Sequence, residues 1–329
     1  MPTYDEFVTK ESWEVEDAYI RSHGHGPAIS DMYHNAWRRL EEGWTHEDII
    51  RDIEGSLPAD PFPLPALSVE FELLMADDEI WPWRMVTSFQ LFERYLKGED
   101  ITPVLRWAQS VGANGVRVLG MAHNLFRLYP HEYGQSYFAA IPGFLITCAA
   151  YGMYVEWVAF ADAQNVMPST DAQRSLLEQV NDTLRQHTNV VGELVNEYSK
   201  NGVAPTLFSK PTGMLWSRGS GLDGEWPPYS PWDIVTYHTQ RKFEWPRTPK
   251  DSLEIRDMRH VPVIPNEMVG AGDVLEPWSR SNVPDDFYAY AATAQLMGAG
   301  ATFHYENGLF SFLPSPTQQL CAEAFFAGI

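Results

Sequence analysis

Short apolar segments of strand length recur along most of this 329-residue chain, and segments of helix length separate most of them. The helical segments are amphipathic, and residues 171–187 place Leu176, Leu177, Val180 and Leu184 on one face. Regular alternation of strands and helices over about 250 residues predicts an α/β fold, a (β/α)8 TIM barrel of parallel strands. The predicted strands lie at residues 86–92, 115–120, 153–161, 190–195, 204–208, 234–238, 261–264 and 301–305.

Two segments precede the predicted barrel. Residues 1–57 carry two predicted amphipathic helices and are interpreted as a helical appendage. Residues 58–67 are rich in proline, which predicts a stiff and extended linker. The barrel itself would then comprise residues 68–329.

The chain is strongly acidic, with 44 Asp and Glu residues against 23 Lys and Arg and a formal net charge of −21. Such a surface repels phosphate backbones and anionic lipids, so neither nucleic acid nor a membrane is an expected partner. The longest uncharged stretch, residues 139–155, is short for a membrane span and predicts a buried helix followed by a buried strand. Two cysteines, Cys148 and Cys321, cannot form a disulfide framework or a four-cysteine zinc site, and they are predicted to be buried thiols.

Aromatic residues make up 13% of the chain, and several tryptophans follow predicted strands five, six and seven. Residues just past the carboxyl ends of barrel strands lie on the face that carries active sites. Aromatic rings also stack well on sugar rings. We expect about half of these side chains to bind sugar, with Trp216 and Trp245 as the candidates, and the rest to pack the loops; the five are Trp216, Trp226, Trp232, Trp245 and Trp278.

Two glutamates follow predicted strands at the same end of the barrel. Glu197 ends the run Val190-Val-Gly-Glu-Leu-Val-Asn-Glu after strand four, and Glu267 ends Val261-Pro-Val-Ile-Pro-Asn-Glu after strand seven. Side chains at these two positions can face each other across the barrel mouth. Hydrolysis of a glycosidic bond requires such a pair, because one carboxyl group protonates the leaving oxygen while the other attacks the anomeric carbon or activates water.

Other acidic residues leave alternatives open. Glu193 lies inside strand four and is a rival for the acid role; a carboxylate lining a barrel needs a partner, for which Arg117 is the candidate. Asp162, at the end of strand three, is expected either to hold a sugar hydroxyl or to cap the next turn. The sequence contains neither the H-E-x-x-H motif of zinc proteases nor a G-x-S-x-G elbow before a helix, so no metal or cofactor is expected.

Together, the barrel spacing, the two glutamates and Arg117 in Gly115-Val-Arg-Val resemble the clan of (β/α)8 retaining glycosidases that includes cellulases and mannanases. The resemblance covers about residues 80–329. It implies that Glu197 is the acid/base and Glu267 the nucleophile, that Asn196 bonds the substrate 2-hydroxyl and that Arg117 orients Glu267. It also places the strand-six region Tyr237-His238 and the strand-eight residue His304 among the substrate-binding residues.

The chain departs from the clan at two points. The usual Asn-Glu-Pro reads Asn196-Glu197-Tyr198, and the tryptophan expected after strand eight is replaced by the run His304-Tyr305-Glu306-Asn307. The resemblance implies an endo-acting retaining hydrolase of a β-linked polysaccharide of the β-glucan or mannan type. The alternative is an inactive barrel that binds carbohydrate or serves as a structural or attachment protein. Enzymes of the clan usually act outside the cell, although the sequence shows no secretory signal.

Overall fold

The computed structural model describes residues 64–222, 225, 231–239, 245–268, 283–298, 300–305 and 314–329. The predicted helical appendage, most of the linker, Trp226 and Trp278 lie outside these residues. The division of the chain into appendage, linker and barrel therefore stays a prediction.

A small antiparallel sheet precedes the main fold. Its strands are β1 (Ser68–Glu70), β2 (Leu73–Ala76) and β3 (Glu79–Ile80). Leu74 of β2 packs in one apolar cluster with Trp83, Tyr154 and Ile264, which lie near the amino ends of the strands that follow. The small sheet therefore covers the amino-terminal end of the main sheet and leaves its carboxyl-terminal end for the loops.

Eight further strands lie within the described residues, and all of their pairings are parallel. Six form one sheet in the order β11-β4-β5-β6-β7-β8, β9 pairs with β10, and a parallel bridge from Ser217 to Ile234 connects the two groups. The strands are β4 (Trp83–Thr87), β5 (Gly115–Leu119), β6 (Tyr154–Phe160), β7 (Val190–Val195), β8 (Trp216–Ser217), β9 (Val235–His238), β10 (Val263–Glu267) and β11 (Gly300–Phe303).

Helices follow or separate these strands, as the alternating pattern predicts. The longer ones bury an apolar face against the sheet. They are α1 (Leu91–Leu96), α2 (Thr102–Ser110), α3 (Pro130–Tyr133), α4 (Gln135–Ala150), α5 (Ala163–Val166), α6 (Thr170–Leu184), α7 (Asp251–Arg259), α8 (Pro284–Met297) and α9 (Pro316–Ala327).

The sheet curls strongly. Arg117 in the middle of β5 bonds directly both to Glu193 of β7 and to Glu267 at the end of β10. The mixed α/β fold with a curled parallel sheet is therefore confirmed. The described residues of β10 and β11 form no strand ladder with each other, so closure into a complete eight-stranded barrel stays a prediction.

The core contains the uncharged stretch, residues 139–155, for which the sequence predicts a buried helix and strand. It forms α4 and the start of β6, where Phe144 and Trp157 both pack edge-to-face against Phe92. Within the described part of the chain no helix is long and apolar enough to cross a bilayer. Cys148 and Cys321 are buried thiols, as predicted.

Two predicted strands are misplaced. Residues 204–208 were predicted as strand five, but residues Pro205–Leu207 form a 3₁₀ turn, because proline fixes its own φ angle and cannot donate to a sheet. The fifth parallel strand is β8. Strand one ends at Thr87 rather than residue 92, because Leu91, Phe92 and Tyr95 bury their side chains from the helix α1.

Candidate active site

Arg117 lies at the centre of the candidate active site. Its side chain points into the curled sheet from the middle of β5 and is fully buried. Nη2 donates to Oε2 of Glu193 at 3.0 Å and to Oδ1 of Asn196 at 2.8 Å, and Nη1 donates to Oε2 of Glu267 at 3.1 Å. One guanidinium therefore fixes three side chains that come from two strands, β7 and β10, and its rigid fork suits this task.

Glu193 is the buried partner that the sequence predicts for Arg117. Its Oε2 also accepts a 3.2 Å hydrogen bond from Arg117 Nε, and its Oε1 accepts from the backbone and the hydroxyl of Ser220. With its side chain fully buried and both oxygens occupied, Glu193 is poorly placed to protonate a substrate. The rival acid role for Glu193 is therefore disfavoured.

Glu267 ends β10 and faces several cationic or potentially cationic groups. Besides Arg117, Nε2 of His238 lies 3.2 Å from Glu267 Oε2, and Nε2 of His304 lies 3.9 Å from Oε1. The guanidinium favours the ionised form of this carboxyl group. An ionised, oriented carboxylate that is 8% exposed at the rim of the sheet can act as a nucleophile.

Glu197 follows β7 and has a left-handed backbone, with φ of +48°. This conformation is uncommon for a non-glycine residue and is held by the surrounding structure. The amide N–H of Glu197 donates to the Ser220 hydroxyl at 3.4 Å, and the carbonyl accepts from the amides of Lys200 and Asn201. The sharp turn directs the Glu197 carboxylate towards Glu267 rather than along the loop.

The two carboxylates lie close together. Oxygen atoms of Glu197 and Glu267 and a ring nitrogen of His238 are all within 4.8 Å of one another, and Nδ1 of His238 is 3.8 Å from Glu197 Oε1. In glycosidases, carboxyl groups about 5–5.5 Å apart accompany retention of configuration, whereas larger separations accompany inversion.

Lys200, which the sequence analysis did not single out, contacts the acid/base candidate. Its Nζ lies 3.0 Å from Glu197 Oε2, three residues along the same turn. The negative charges of Glu197, Glu267 and Asp162 raise the pKa of Lys200 although partial burial opposes them. The sequence signal for this ion pair is the three-residue spacing of Glu197 and Lys200. That spacing predicts contact only if Glu197 begins a turn, which the sequence did not indicate.

One more carboxyl group, that of Glu156, lies inside the sheet near Arg117 and Glu193. Glu156 of β6 is fully buried, and desolvation raises its pKa well above the ordinary range despite the nearby charge of Arg117. In its acid form it hydrogen-bonds Glu193, and the Asn266 amide donates to both residues at 3.0 and 2.9 Å. Arg117 stays charged because the carboxylates around it outweigh its own desolvation and raise its pKa.

Six of the nine predicted site residues are brought together: Arg117, Asn196, Glu197, His238, Glu267 and His304. Asn196 is buried, and its Oδ1 accepts a hydrogen bond from Arg117. Asp162 occupies the N-cap position of α5, but its side chain does not cap that helix. Its carboxylate accepts from the backbone amides of His123 and Asn124 at 2.9 Å and orders the loop after β5.

Three predicted substrate-binding residues lie elsewhere. Tyr237 precedes His238, and neighbouring strand residues point to opposite faces of a sheet; its hydroxyl bonds Ser252 of α7 at 2.8 Å. Trp245 is buried on a 3₁₀ turn with its ring 5.4 Å from that of Phe287. Both side chains pack against other parts of the protein, which disfavours the predicted contact with sugar.

Trp216 is also a structural residue. It lies in β8 rather than in a loop, its side chain is fully buried, and its Nε1 donates to Asn181 of α6 at 3.0 Å. Its ring covers Gly192 of the neighbouring strand. These contacts disfavour the predicted sugar contact for Trp216 as well, since the residue lies in β8 and not in the loop that the misplaced strand five predicts.

A metal ion could use one ligand atom each from Glu197, His238 and Glu267. Two fixed cations compete with it, because Arg117 donates to Glu267 and Lys200 lies against Glu197. Each carboxylate already has a cationic partner at hydrogen-bond distance. The donor set therefore fits a pair of working carboxyl groups better than a metal centre.

The fold of the chain resembles those of glycoside hydrolases. No protein-family model matches the sequence, and no curated protein matches it. A structure from Bacteroides vulgatus proposed to be a glycoside hydrolase matches with a TM-score of 0.60 and 15% identity, covering 75% of this chain and 56% of that one. A family 5 glycoside hydrolase from the same organism matches with a TM-score of 0.56 and 14% identity, covering 74% of this chain and 62% of that one.

The family 5 mannosidase of Rhizomucor miehei matches with a TM-score of 0.55 and 12% identity, covering 82% of this chain and 98% of that one. By contrast, this chain spans only 56% and 62% of the length of the two Bacteroides proteins. At these identities the likeness concerns the fold alone. The resemblance to the glycosidase clan that the sequence indicated is confirmed at that level.

Proposed function

We propose that the chain is a retaining glycoside hydrolase that acts on a β-linked polysaccharide or oligosaccharide. The observation that carries the proposal is the approach of the Glu197 and Glu267 carboxylates to within 4.8 Å at the carboxyl ends of the strands. That spacing leaves room for direct attack on an anomeric carbon but not for an intervening water. The glycosidase folds of the neighbouring structures agree with this chemistry.

The first half of the reaction forms a glycosyl ester. The ionised Glu267, held by Arg117, attacks the anomeric carbon while the protonated Glu197 donates its proton to the glycosidic oxygen. The bond between the anomeric carbon and that oxygen breaks, and the leaving sugar departs as an alcohol. Burial of Arg117 and Glu267 makes their pairing stronger than in water.

The second half restores the enzyme. Glu197, now ionised, removes a proton from a water molecule that attacks the same anomeric carbon, and the ester bond to Glu267 breaks. Two displacements on opposite faces retain the anomeric configuration. In this mechanism the Asn196 amide bonds the hydroxyl next to the anomeric carbon, and the hydrogen bond from Arg117 to Asn196 Oδ1 supports this role.

As the substrate we propose first a β-glucan or a mannan, which the enzyme would cut within the chain. The test is a panel of β-glucans, mannans and xylans incubated with wild type and with Glu267→Gln, with proton NMR of the first product. We expect release of reducing sugar with retained configuration by wild type and none by the variant. Inverted product, or equal release by both proteins, would overturn the proposal.

A binding protein without turnover is the second candidate. The ion pair between Lys200 and Glu197 favours it, because a nearby ammonium opposes protonation of the acid. Micromolar binding of a glycan by wild type, with no release of reducing sugar from any member of the panel, would favour this candidate over the enzyme.

A further inference from the structure

We infer that Lys200 binds an anionic group, such as a uronic acid carboxylate, on the leaving-group side of the substrate. The inference rests on the proposed function, since the leaving-group side is defined by the acid role of Glu197. It narrows the substrate class from β-linked glycans in general to acidic ones.

The position of Lys200 supports the inference first. Its ammonium lies 3.0 Å from Glu197 Oε2, yet the side chain is 57% exposed and so open to a ligand from solvent. The acid/base protonates the glycosidic oxygen, which departs with the leaving sugar. A substrate group that reaches the ammonium next to the acid/base therefore belongs to the leaving sugar. Lys200 therefore marks the subsite next to the bond that breaks.

The charge balance of the catalytic step supports it second. Glu197 must be protonated to act as the acid, and at that moment Lys200 loses the negative charge nearest to it. Asp162 also acts on Lys200, but its carboxylate already accepts from the amides of His123 and Asn124, and Glu267 is held by Arg117. An anion on the substrate would supply the missing charge and would favour the protonated form of Glu197.

The surface beyond Lys200 supports it third. Asn201, the next residue, accepts from the Asp162 amide, and Asp162 orders the loop after β5. That loop carries exposed His123 and Arg127; the Arg127 guanidinium pairs with Glu132 and lies 4.7 Å from the centroid of the Tyr129 ring. Through Asn201 and Asp162, this loop brings a basic side chain and an aromatic ring, both suited to contact with a sugar, to the same part of the surface as Lys200.

The test compares matched probes on matched variants. Cello- and manno-oligosaccharides, neutral or oxidised at C6 to uronic acids, are offered to wild type, Lys200→Met and Lys210→Met. Lys210 is the control lysine, because it pairs with Asp233 near the start of β8, at the other end of the strands. We expect wild type and Lys210→Met to favour the acidic probe by about tenfold in kcat/KM, and Lys200→Met to favour neither.

The pH profile separates this role from simple structural support. With the acidic probe, the alkaline limb of kcat should lie at higher pH than with the neutral probe, because kcat reports the enzyme–substrate complex. In Lys200→Met the two limbs should coincide. A Lys200 that only supports the turn would change stability without changing the difference between probes.

Binding decides the matter if neither probe is cleaved. Calorimetric titration of Glu267→Gln should show about tenfold tighter binding of the acidic probe, and adding Lys200→Met should remove this preference. Equal binding of both probes, or a preference that survives Lys200→Met, overturns the inference. Failure of the proposed function would be seen separately, as no release of reducing sugar from any glycan of the wider panel.

Discussion

Arg117 Nη1 donates a 3.1 Å hydrogen bond to Oε2 of Glu267, across the interior of the curled sheet from β5 to the end of β10. The same guanidinium is held from below by Glu193. The nucleophile candidate is thus positioned by a residue 150 positions earlier in the chain, and the folding of the sheet is what assembles the site.

Replacing Arg117 should harm both folding and catalysis. Arg117→Met would leave the buried Glu193 without its cation, and breaking a buried ion pair costs about 3–5 kcal/mol. Arg117→Lys keeps the charge but cannot form the fork, so we expect kcat to fall about 100-fold with a smaller loss of stability. Denaturant unfolding and reducing-sugar release measure the two effects. Arg174→Lys, on the exposed Arg174–Asp171 pair, is the control and should change neither.

The roles of Glu197 and Glu267 should be distinguishable with substrates whose leaving groups differ in their need for a proton. Glu197→Gln removes the proton donor and should lower kcat about 10²–10⁴-fold on glycosides with poor leaving groups. The loss should be much smaller on a dinitrophenyl glycoside, whose leaving group departs without a proton. Glu267→Gln should lose activity on both, because no nucleophile remains. Equal losses for Glu197→Gln on both substrates would contradict the assigned roles.

Much of this site could be predicted because strand ends and chemistry coincide. Arg117, Asn196, Glu197 and Glu267 all follow or lie within well-formed apolar strands, and parallel strands bring such residues to one end of a sheet. Glu193 could be paired with Arg117 by the same argument, since a buried carboxylate requires a cation.

The other features of the site depend on tertiary contacts, which the hydrophobic periodicity of the sequence does not predict. β8 has only two residues, too few to show alternation, so the sequence pattern favours the nearby run containing Pro205 and predicts a loop at Trp216. Tyr237 and His238 differ by one position, and which of the two faces inward depends on the register of β9. Lys200 gains its importance from the left-handed turn at Glu197, which no local pattern indicated.

Glu156 should make the stability of the fold fall as the pH rises. Its pKa is raised in the folded state by burial, while in the unfolded chain it ionises near pH 4.3. Above that pH the unfolded state loses this proton first, so the free energy of unfolding declines until the folded-state pKa is passed. Glu156→Gln imitates the protonated acid and lacks this decline, so its stability relative to wild type should increase from pH 4 to pH 8.

Urea unfolding at several pH values measures this difference. Glu178→Gln, on the exposed face of α6, serves as the control and should follow wild type at every pH. If Glu156→Gln also ran parallel to wild type, Glu156 would be ionised in the folded protein and the hydrogen bond to Glu193 would have to be abandoned.

Gly192 and Trp216 should behave as one packing unit. A Cβ at Gly192 would lie 2.3 Å from the Trp216 ring, so Gly192→Ala should destabilise the protein by about 3 kcal/mol through overpacking. Gly98→Ala is the control; nothing lies within 4 Å of its Cβ, and only its φ of +76° carries a cost, about 1 kcal/mol.

A smaller partner should relieve the clash. The double variant Gly192→Ala/Trp216→Leu should be more stable than the sum of the two single changes, because the shorter side chain makes room for the methyl group. Trp216→Leu alone should lower the free energy of unfolding and leave KM for any cleaved glycan unchanged, since Trp216 faces α6. A raised KM at unchanged stability would instead return Trp216 to the substrate-binding residues that the sequence first suggested.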